Sequence, residues 1–520
     1  MKLPINIKNT KQMIFLLLIV YTITRLFIVS YVPLVKDETI YAMMIEEQAE
    51  KPTLITTFLG YDVGWKPPVF FWIYASFIKI LKVLPLPLEH IYRLPTVFFG
   101  AVNVVLVYFF IKKLHTPEIA FLTALIYECL FLTIYTDNSV LTDTLNMTFV
   151  FISLLFYINK KPTMKNFIIG ATFAFLAFYV KFALAFIVPV LVISYYFFND
   201  EKFDKKIFQN CKLSNLQYDK KILKNPILWY SFIAILLAPV IYYSLFSDKS
   251  LTENVYNKDI LDRFLSILEP IKNIDIAKSS LIGLFFLVSV FLVIGIAGLK
   301  NNWKKYLFFA SWLSLIAFPI FSGNYLPWHF LPIALPLAFF SAIELSYYKE
   351  KYLFDRFSAF ILILIIIVNL ALGMMFYDDL KNGIMPEKSA GEFLAFKQNV
   401  AIIGDYPPTI IAYKTLKEKR KLGHILDYGW ILGSGQQDNE SYQKLGQKYF
   451  ENINNIENGS FAKMFYVDNK IFRKDTNISK FDYLVAIGWK SKNGKLIWNS
   501  TNINIYDISS GINKSVVSSQ

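Results

Sequence analysis

Apolar runs of about 15 to 24 residues recur along the first 377 positions, and no other feature constrains the fold of this chain as strongly. At a helical rise of 1.5 Å per residue, such runs match a hydrocarbon core roughly 30 Å thick. With 55% hydrophobic and only 18% charged residues, residues 1–377 are expected to form an all-α polytopic membrane domain. Lys2, Lys8 and Lys11 precede the first stretch, near 13–35, as they would precede a cleavable signal. That stretch is too long for a signal core and lacks a small-residue cleavage site, so an uncleaved span is expected.

Twelve apolar stretches are visible, near 13–35, 67–84, 94–111, 117–135, 139–158, 166–180, 182–198, 227–246, 279–299, 306–322, 330–346 and 355–376. Orientation follows Lys and Arg in short loops. If Pro67 to Leu84 crosses, the dense lysine loops at 112–113, 160–165 and 199–226 fall outside. If it lies along the outer surface, all of these fall inside with 300–305 and 349–356, and the turns at 136–143 and 323–329, free of Lys and Arg, fall outside. The stretch opens on Pro67-Pro68 and carries Lys79 and Lys82, as an interfacial helix does. The expectation is therefore about 11 transmembrane helices in the plasma membrane, with the N-terminus cytoplasmic and the C-terminus external. The net charge of +14 reads as membrane topology and contact with membrane lipids, with no nucleic acid as partner. Two cysteines, Cys129 and Cys211, indicate neither a disulfide framework nor a thiolate metal site.

Beyond 377 the texture changes to short strands and amphipathic helices, predicting a small external α/β domain over 378–520. Strands are expected at Asn399–Gly404, Phe481–Gly488 and within Leu496–Ile508, with helices at Pro408–Lys421 and Ser441–Ile453. Five Asn-x-Ser/Thr triplets, at Asn439, Asn458, Asn477, Asn499 and Asn513, agree with an external location.

Candidate chemistry concentrates in the expected external turns. The couplet Asp37-Glu38 stands at the end of the first stretch and opens a loop, 36–93, that also carries Lys66 and Arg93. Carboxylates end many spans by themselves. Cations on the same face, close to the membrane, are natural partners for a lipid phosphate. Asp143 opens the fifth stretch, either as a helix cap or as a functional acid inside the membrane boundary. Lys181 separates two short apolar stretches and either snorkels to the interface or joins the site. Arg25, midway along the first stretch, is expected to pair with an internal acid such as Glu128 or with an anionic headgroup. His329 belongs to the last external turn. His90, His115 and His424 are scattered, so no metal site is indicated. Gly433-Ser434-Gly435 lacks the third glycine of a nucleotide fingerprint.

The order of these motifs resembles a known pattern. Asp-Glu-x-x-Tyr-Ala runs from Asp37 to Ala42, Lys-Pro-Pro opens an aromatic helix at Lys66, and Arg-Leu-Pro begins at Arg93. Asp143, then Lys181 after a helix containing Gly170, and Leu-Pro-x-x-x-Leu-Pro from Leu326 to Pro332 complete it. Over roughly 15 to 345 the chain resembles the GT-C superfamily of polyprenyl-phosphate-sugar-dependent glycosyltransferases. The similarity is to the branch holding the lipid A aminoarabinose transferase and relatives of the protein O-mannosyltransferases. The resemblance implies a GT-C-like fold and an inverting transfer of sugar from a polyprenyl-phosphate donor to a lipid, glycan or protein acceptor. It places Asp37 in the active site with Glu38 beside it, Asp143 as the second acid, and Lys66 on the carrier phosphate. Arg93, Lys181 and Tyr41 join the substrate-binding set. His329 stands where the family usually has Tyr, and Tyr325 replaces its basic residue. No cofactor is obligatory, although a divalent cation on Asp37 and Asp143 is possible. The rival class is a transporter or flippase of a lipid-linked or polar solute, which would place its ionisable groups at mid-membrane between broken helices.

Overall fold

The computed structural model describes residues 9–26, 28–29, 31–58, 61–62, 66–159, 162–181, 187–198, 223–246, 291–303, 306–313, 327–352, 355–397, 400–404, 408–422, 430–432, 464–468, 482–487, 494–501 and 503–509. Helices dominate. The first, α1 (Thr10–Leu26), stops well short of position 35. Residues 31–35 lead instead into a second helix, α2 (Lys36–Glu50), whose first turn holds Asp37 and Glu38. Pro33 contributes to the interruption, because it lacks an N–H and disfavours helix in the residue before it. The couplet therefore begins a helix of its own.

A two-stranded hairpin (β1, Thr57–Phe58; β2, Tyr61–Asp62) precedes α3 (Val69–Leu81). At 13 residues, α3 extends roughly 20 Å, too short for a hydrocarbon core. It buries Phe70, Phe71, Tyr74 and Ile78 against α2 and α4 (Leu88–Leu114), while Ser76, Lys79 and Ile80 are exposed.

The stretch expected as one span near 117–135 is two helices, α5 (Pro117–Cys129) and α6 (Phe131–Asp137), bent by 64° at Leu130. Neither proline nor glycine sits at the bend. Instead, the carbonyls released there are taken up by side chains. Thr133 Oγ1 donates to Tyr127 O at 2.6 Å and to Leu130 O at 2.7 Å. Arg25 Nη1 donates to Glu128 O, and Asn369 Nδ2 to Cys129 O, each at 2.6 Å. A broken helix inside a bundle survives only when such partners exist. Arg25 forms its ion pair with Asp137, at 3.0 Å, and takes the backbone carbonyl of Glu128, not its carboxylate.

The bundle continues through α7 (Thr142–Tyr157), α8 (Met164–Phe178), α9 (Ile187–Phe198), α10 (Pro226–Phe246), α11 (Leu307–Leu313), a 3-10 turn (Pro327–Ile333), α12 (Ala334–Tyr352) and α13 (Asp355–Leu394). Among the described residues, Leu88–Leu114 and His329–Tyr347 are long and apolar enough to cross a membrane, and the bent α5–α6 pair has the length and composition of either a broken span or a re-entrant loop. The 40 residues of α13 extend roughly 60 Å. Position 377 lies within this helix, which joins the bundle directly to the C-terminal unit.

That unit packs α14 (Pro408–Leu422) on α13, beside a six-stranded sheet of order β4-β5-β3-β6-β8-β7. The strands β3 (Val400–Gly404), β4 (Trp430–Leu432), β5 (Met464–Asp468) and β6 (Tyr483–Ile487) run parallel. An antiparallel hairpin, β7 (Lys495–Ser500) and β8 (Ile503–Asp507), completes one edge. The strands expected near 399–404, 481–488 and 496–508 and the helix near 408–421 are present. The helix expected at Ser441–Ile453 lies outside the described residues, as do Asn439, Asn458, Asn477 and Asn513; Asn499 is exposed on β7.

Candidate active site

One carboxylate of the couplet holds the fold and the other is half-buried nearby. Glu38 is buried, and its Oε1 accepts from Arg93 Nε at 2.9 Å and Val140 N at 2.7 Å. Its Oε2 accepts from Arg93 Nη2 at 2.6 Å and Val35 N at 2.9 Å. Arg93 directs its remaining N–H groups to Val29 O, Val32 O and Pro33 O at 2.7 to 2.9 Å. Every donor of the guanidinium and both oxygens of the carboxylate are engaged. Glu38, expected among the catalytic residues, and Arg93, expected in the substrate-binding set, are thus bound to each other in this structure. The pair fixes the segment that delivers α2.

Asp37, one residue earlier, is half-buried and takes part in no hydrogen bond or ion pair among the described residues. On α2 it lies one turn from Tyr41, on the same face. The Tyr41 hydroxyl accepts from Lys66 Nζ at 2.6 Å, and that ammonium stands 4.6 Å from the centre of the Tyr41 ring. Burial first, then the Asp37 and Asp143 carboxylates, hold the Tyr41 phenol well above its usual range, so it stays protonated. Both acids thus act electrostatically on one tyrosine.

Asp143 lies in the first turn of α7, where a carboxylate favours the helix dipole. The cap position belongs to Leu141, and Asp143 Oδ1 accepts from Lys181 Nζ at 2.6 Å. Lys181 reaches it because α7 and α8 approach closely. A Cβ on Gly170 would stand 2.7 Å from the Tyr157 ring, and Ser153 Oγ donates to Gly170 O at 2.6 Å. Asn146 Nδ2 then ties α7 to the turn before Lys181 by donating to Ala177 O at 2.6 Å. Tyr179 in the same turn accepts from Val69 N at 3.2 Å, which brings the Lys66-Pro67-Pro68 segment alongside.

The site therefore gathers Asp37, Tyr41, Lys66, Asp143 and Lys181 at one end of α2, α3, α7 and α8. His329, half-buried, belongs to the 3-10 turn packed on α6 and α7. Tyr325 and Trp65 lie outside the described residues. Among the described residues no group of three or more His, Cys, Asp or Glu side chains is placed to hold a metal. Asn146 was missed from the sequence; its only signal is a polar amide inside an apolar run.

The family model for dolichyl-phosphate-mannose-protein mannosyltransferase matches residues 65–214, a stretch that includes Lys66, Arg93, Asp143 and Lys181. No curated protein matches the chain by sequence. Among solved structures, ArnT from Cupriavidus metallidurans bound to undecaprenyl phosphate aligns with a TM-score of 0.61 at 12% identity, covering 97% of this chain and 99% of that one. The apo state of the same protein aligns at 0.49 with 13% identity, covering 78% and 84%. An Archaeoglobus fulgidus oligosaccharyltransferase tethered with an acceptor peptide aligns at 0.48 with 10% identity, covering 92% and 69%. Only the first of these three scores is high enough to compare folds. Mostly helical with a small C-terminal sheet, the chain resembles the GT-C membrane fold along nearly its whole length and is similar to the dolichyl-phosphate-mannose-protein mannosyltransferase family over residues 65–214.

Proposed function

We propose that this protein transfers a sugar from a polyprenyl-phosphate carrier to an acceptor hydroxyl at the outer face of the plasma membrane, inverting the anomeric centre. The observation that carries the reading is a division of labour within one site. Asp37 is left unengaged among the described residues, while Lys66 and Lys181 are aligned beside it by Tyr41 and Asp143. The acceptor oxygen forms a bond to the anomeric carbon as its proton passes to Asp37. The bond from that carbon to the phosphate oxygen breaks, and its electron pair leaves with the carrier. A phosphodiester thereby becomes a monoester with one more negative charge, and the two ammonium groups meet that charge where it develops. Asp143 orients Lys181 in this scheme, and His329 offers a further donor to the carrier phosphate.

The two lysines perform the task a divalent ion would otherwise perform, so the reading is of metal-independent transfer. N-terminus inside, C-terminal unit outside and eleven spans remain the topology that the lysine loops favour. Support for the carrier comes from the likeness to ArnT bound to undecaprenyl phosphate. Binding of polyprenyl phosphate to the purified protein tests the phosphate side. Lys66→Ala and Lys181→Ala should each weaken it about 10- to 100-fold, the worth of one charge-assisted hydrogen bond, and a chelator should leave sugar transfer unchanged. Unaltered affinity in both variants would remove the lysines from the site. Glycosylated acceptor released together with free carrier phosphate separates this reaction from transport of the intact lipid.

A further inference from the structure

The C-terminal unit has no part in the reaction above, yet its helices reach the helix that bears Asp37. Helix α14 packs on both α13 and α2. At Gly391 of α13 a Cβ would stand 2.5 Å from Ile410 O and 2.9 Å from Tyr413 Cβ, so the two C-terminal helices nearly touch at the level of Tyr413. The Tyr413 side chain is buried. Its hydroxyl accepts from Leu34 N at 2.8 Å and donates to Glu89 Oε1 at 2.7 Å, the oxygen that Lys388 Nζ of α13 also reaches at 2.7 Å. Burial, then the Glu89 carboxylate, hold this phenol well above its usual range, so the O–H remains a donor.

Leu34 lies three residues before Asp37, in the segment that sets the direction of α2. Several other polar groups of that segment are also claimed. Arg93 takes three of its carbonyls, Glu38 accepts from Val35 N, and the Tyr31 hydroxyl donates to Asp378 of α13. Membrane-bundle side chains thus hold one side of the segment and C-terminal side chains the other. Neither Tyr413 nor Glu89 belongs to the motifs read from the sequence.

We propose that Tyr413 is a positioning residue for Asp37, through which the C-terminal unit sets the angle of α2 and so the placement of the carboxylate that takes the acceptor proton. This rests on the reading of Asp37 as the base. Lys181 is anchored to Asp143 of α7 without a bond to α2 or Tyr413, so its part in carrier binding should persist when the tyrosine hydroxyl is lost, whereas Lys66, held by Tyr41 of α2, shares in any shift of that helix. A misplacement of about 1 Å in such a group costs on the order of 100-fold in rate.

The test is Tyr413→Phe in the full chain, which keeps the ring and removes only the hydroxyl. We expect sugar transfer to fall about 10- to 100-fold, affinity for polyprenyl phosphate to fall by less than transfer does, and amide hydrogen exchange over residues 34–38 to accelerate. Transfer within about twofold of wild type, or exchange over 34–38 unchanged, would overturn the proposal, as would a loss of phosphate affinity as large as the loss of transfer, which would signal general disruption. A wild-type protein that transfers no sugar would instead defeat the catalytic reading, and the exchange measurement would still decide whether Tyr413 holds α2.

Discussion

A guanidinium carries five N–H groups, and Arg93 places all five: two on Glu38 and three on the carbonyls of Val29, Val32 and Pro33. Buried ion pairs of this kind add little net stability when formed but are costly to break, because the remaining charge is stranded. Glu38→Gln or Arg93→Ala should therefore cost about 3–5 kcal/mol, read as lowered thermal stability of the detergent-solubilised protein. Asp37→Asn, which breaks no such pair, should leave stability close to wild type. The Asp37-Glu38 couplet and Lys66 stand out in the sequence as candidates because acids and cations share one loop. Which acid holds the fold was not legible. That depends on a side chain 55 residues away, and adjacent carboxylates on a helix point in different directions.

The elements were legible where apolar length decides them and hidden where side chains do. Runs near 94–111, 139–158, 166–180 and 227–246 became helices, since an apolar face in that length range has few alternatives. The interruptions at 31–35 and at Leu130 escaped the reading, because polar groups supplied from Arg93, Arg25, Thr133 and Asn369 make them tolerable. Spacing between helices is similarly local. Gly170 allows α7 and α8 to close on each other and thereby brings Lys181 to Asp143. Gly170→Val should drive a side chain into the Tyr157 ring, with a penalty of about 1–3 kcal/mol. Thermal unfolding and polyprenyl-phosphate binding measured on this variant should decline together, whereas unchanged binding would show that the α7–α8 spacing does not set the site.

At the scale of the whole molecule, a helical bundle and a small mixed sheet are joined by the continuous helix α13. The change of texture beyond 377 agrees with the small C-terminal sheet, while the sheet's attachment depends on contacts between Tyr413, Lys388 and Glu89 that no local pattern encodes. Topology is testable from one position. A single cysteine at Leu88 should react with an impermeant reagent added from outside, and labelling from the cytoplasmic side alone would overturn the eleven-span arrangement. The central claim is that one half-buried carboxylate, flanked by aligned lysines, takes the acceptor's proton. Its most direct test is transfer of a labelled sugar from polyprenyl-phosphate donors in membranes by wild type and Asp37→Asn at matched protein levels. Transfer should fall by about 100- to 10,000-fold, the range for loss of a general base, with binding of polyprenyl phosphate retained. Undiminished transfer by Asp37→Asn would contradict the account.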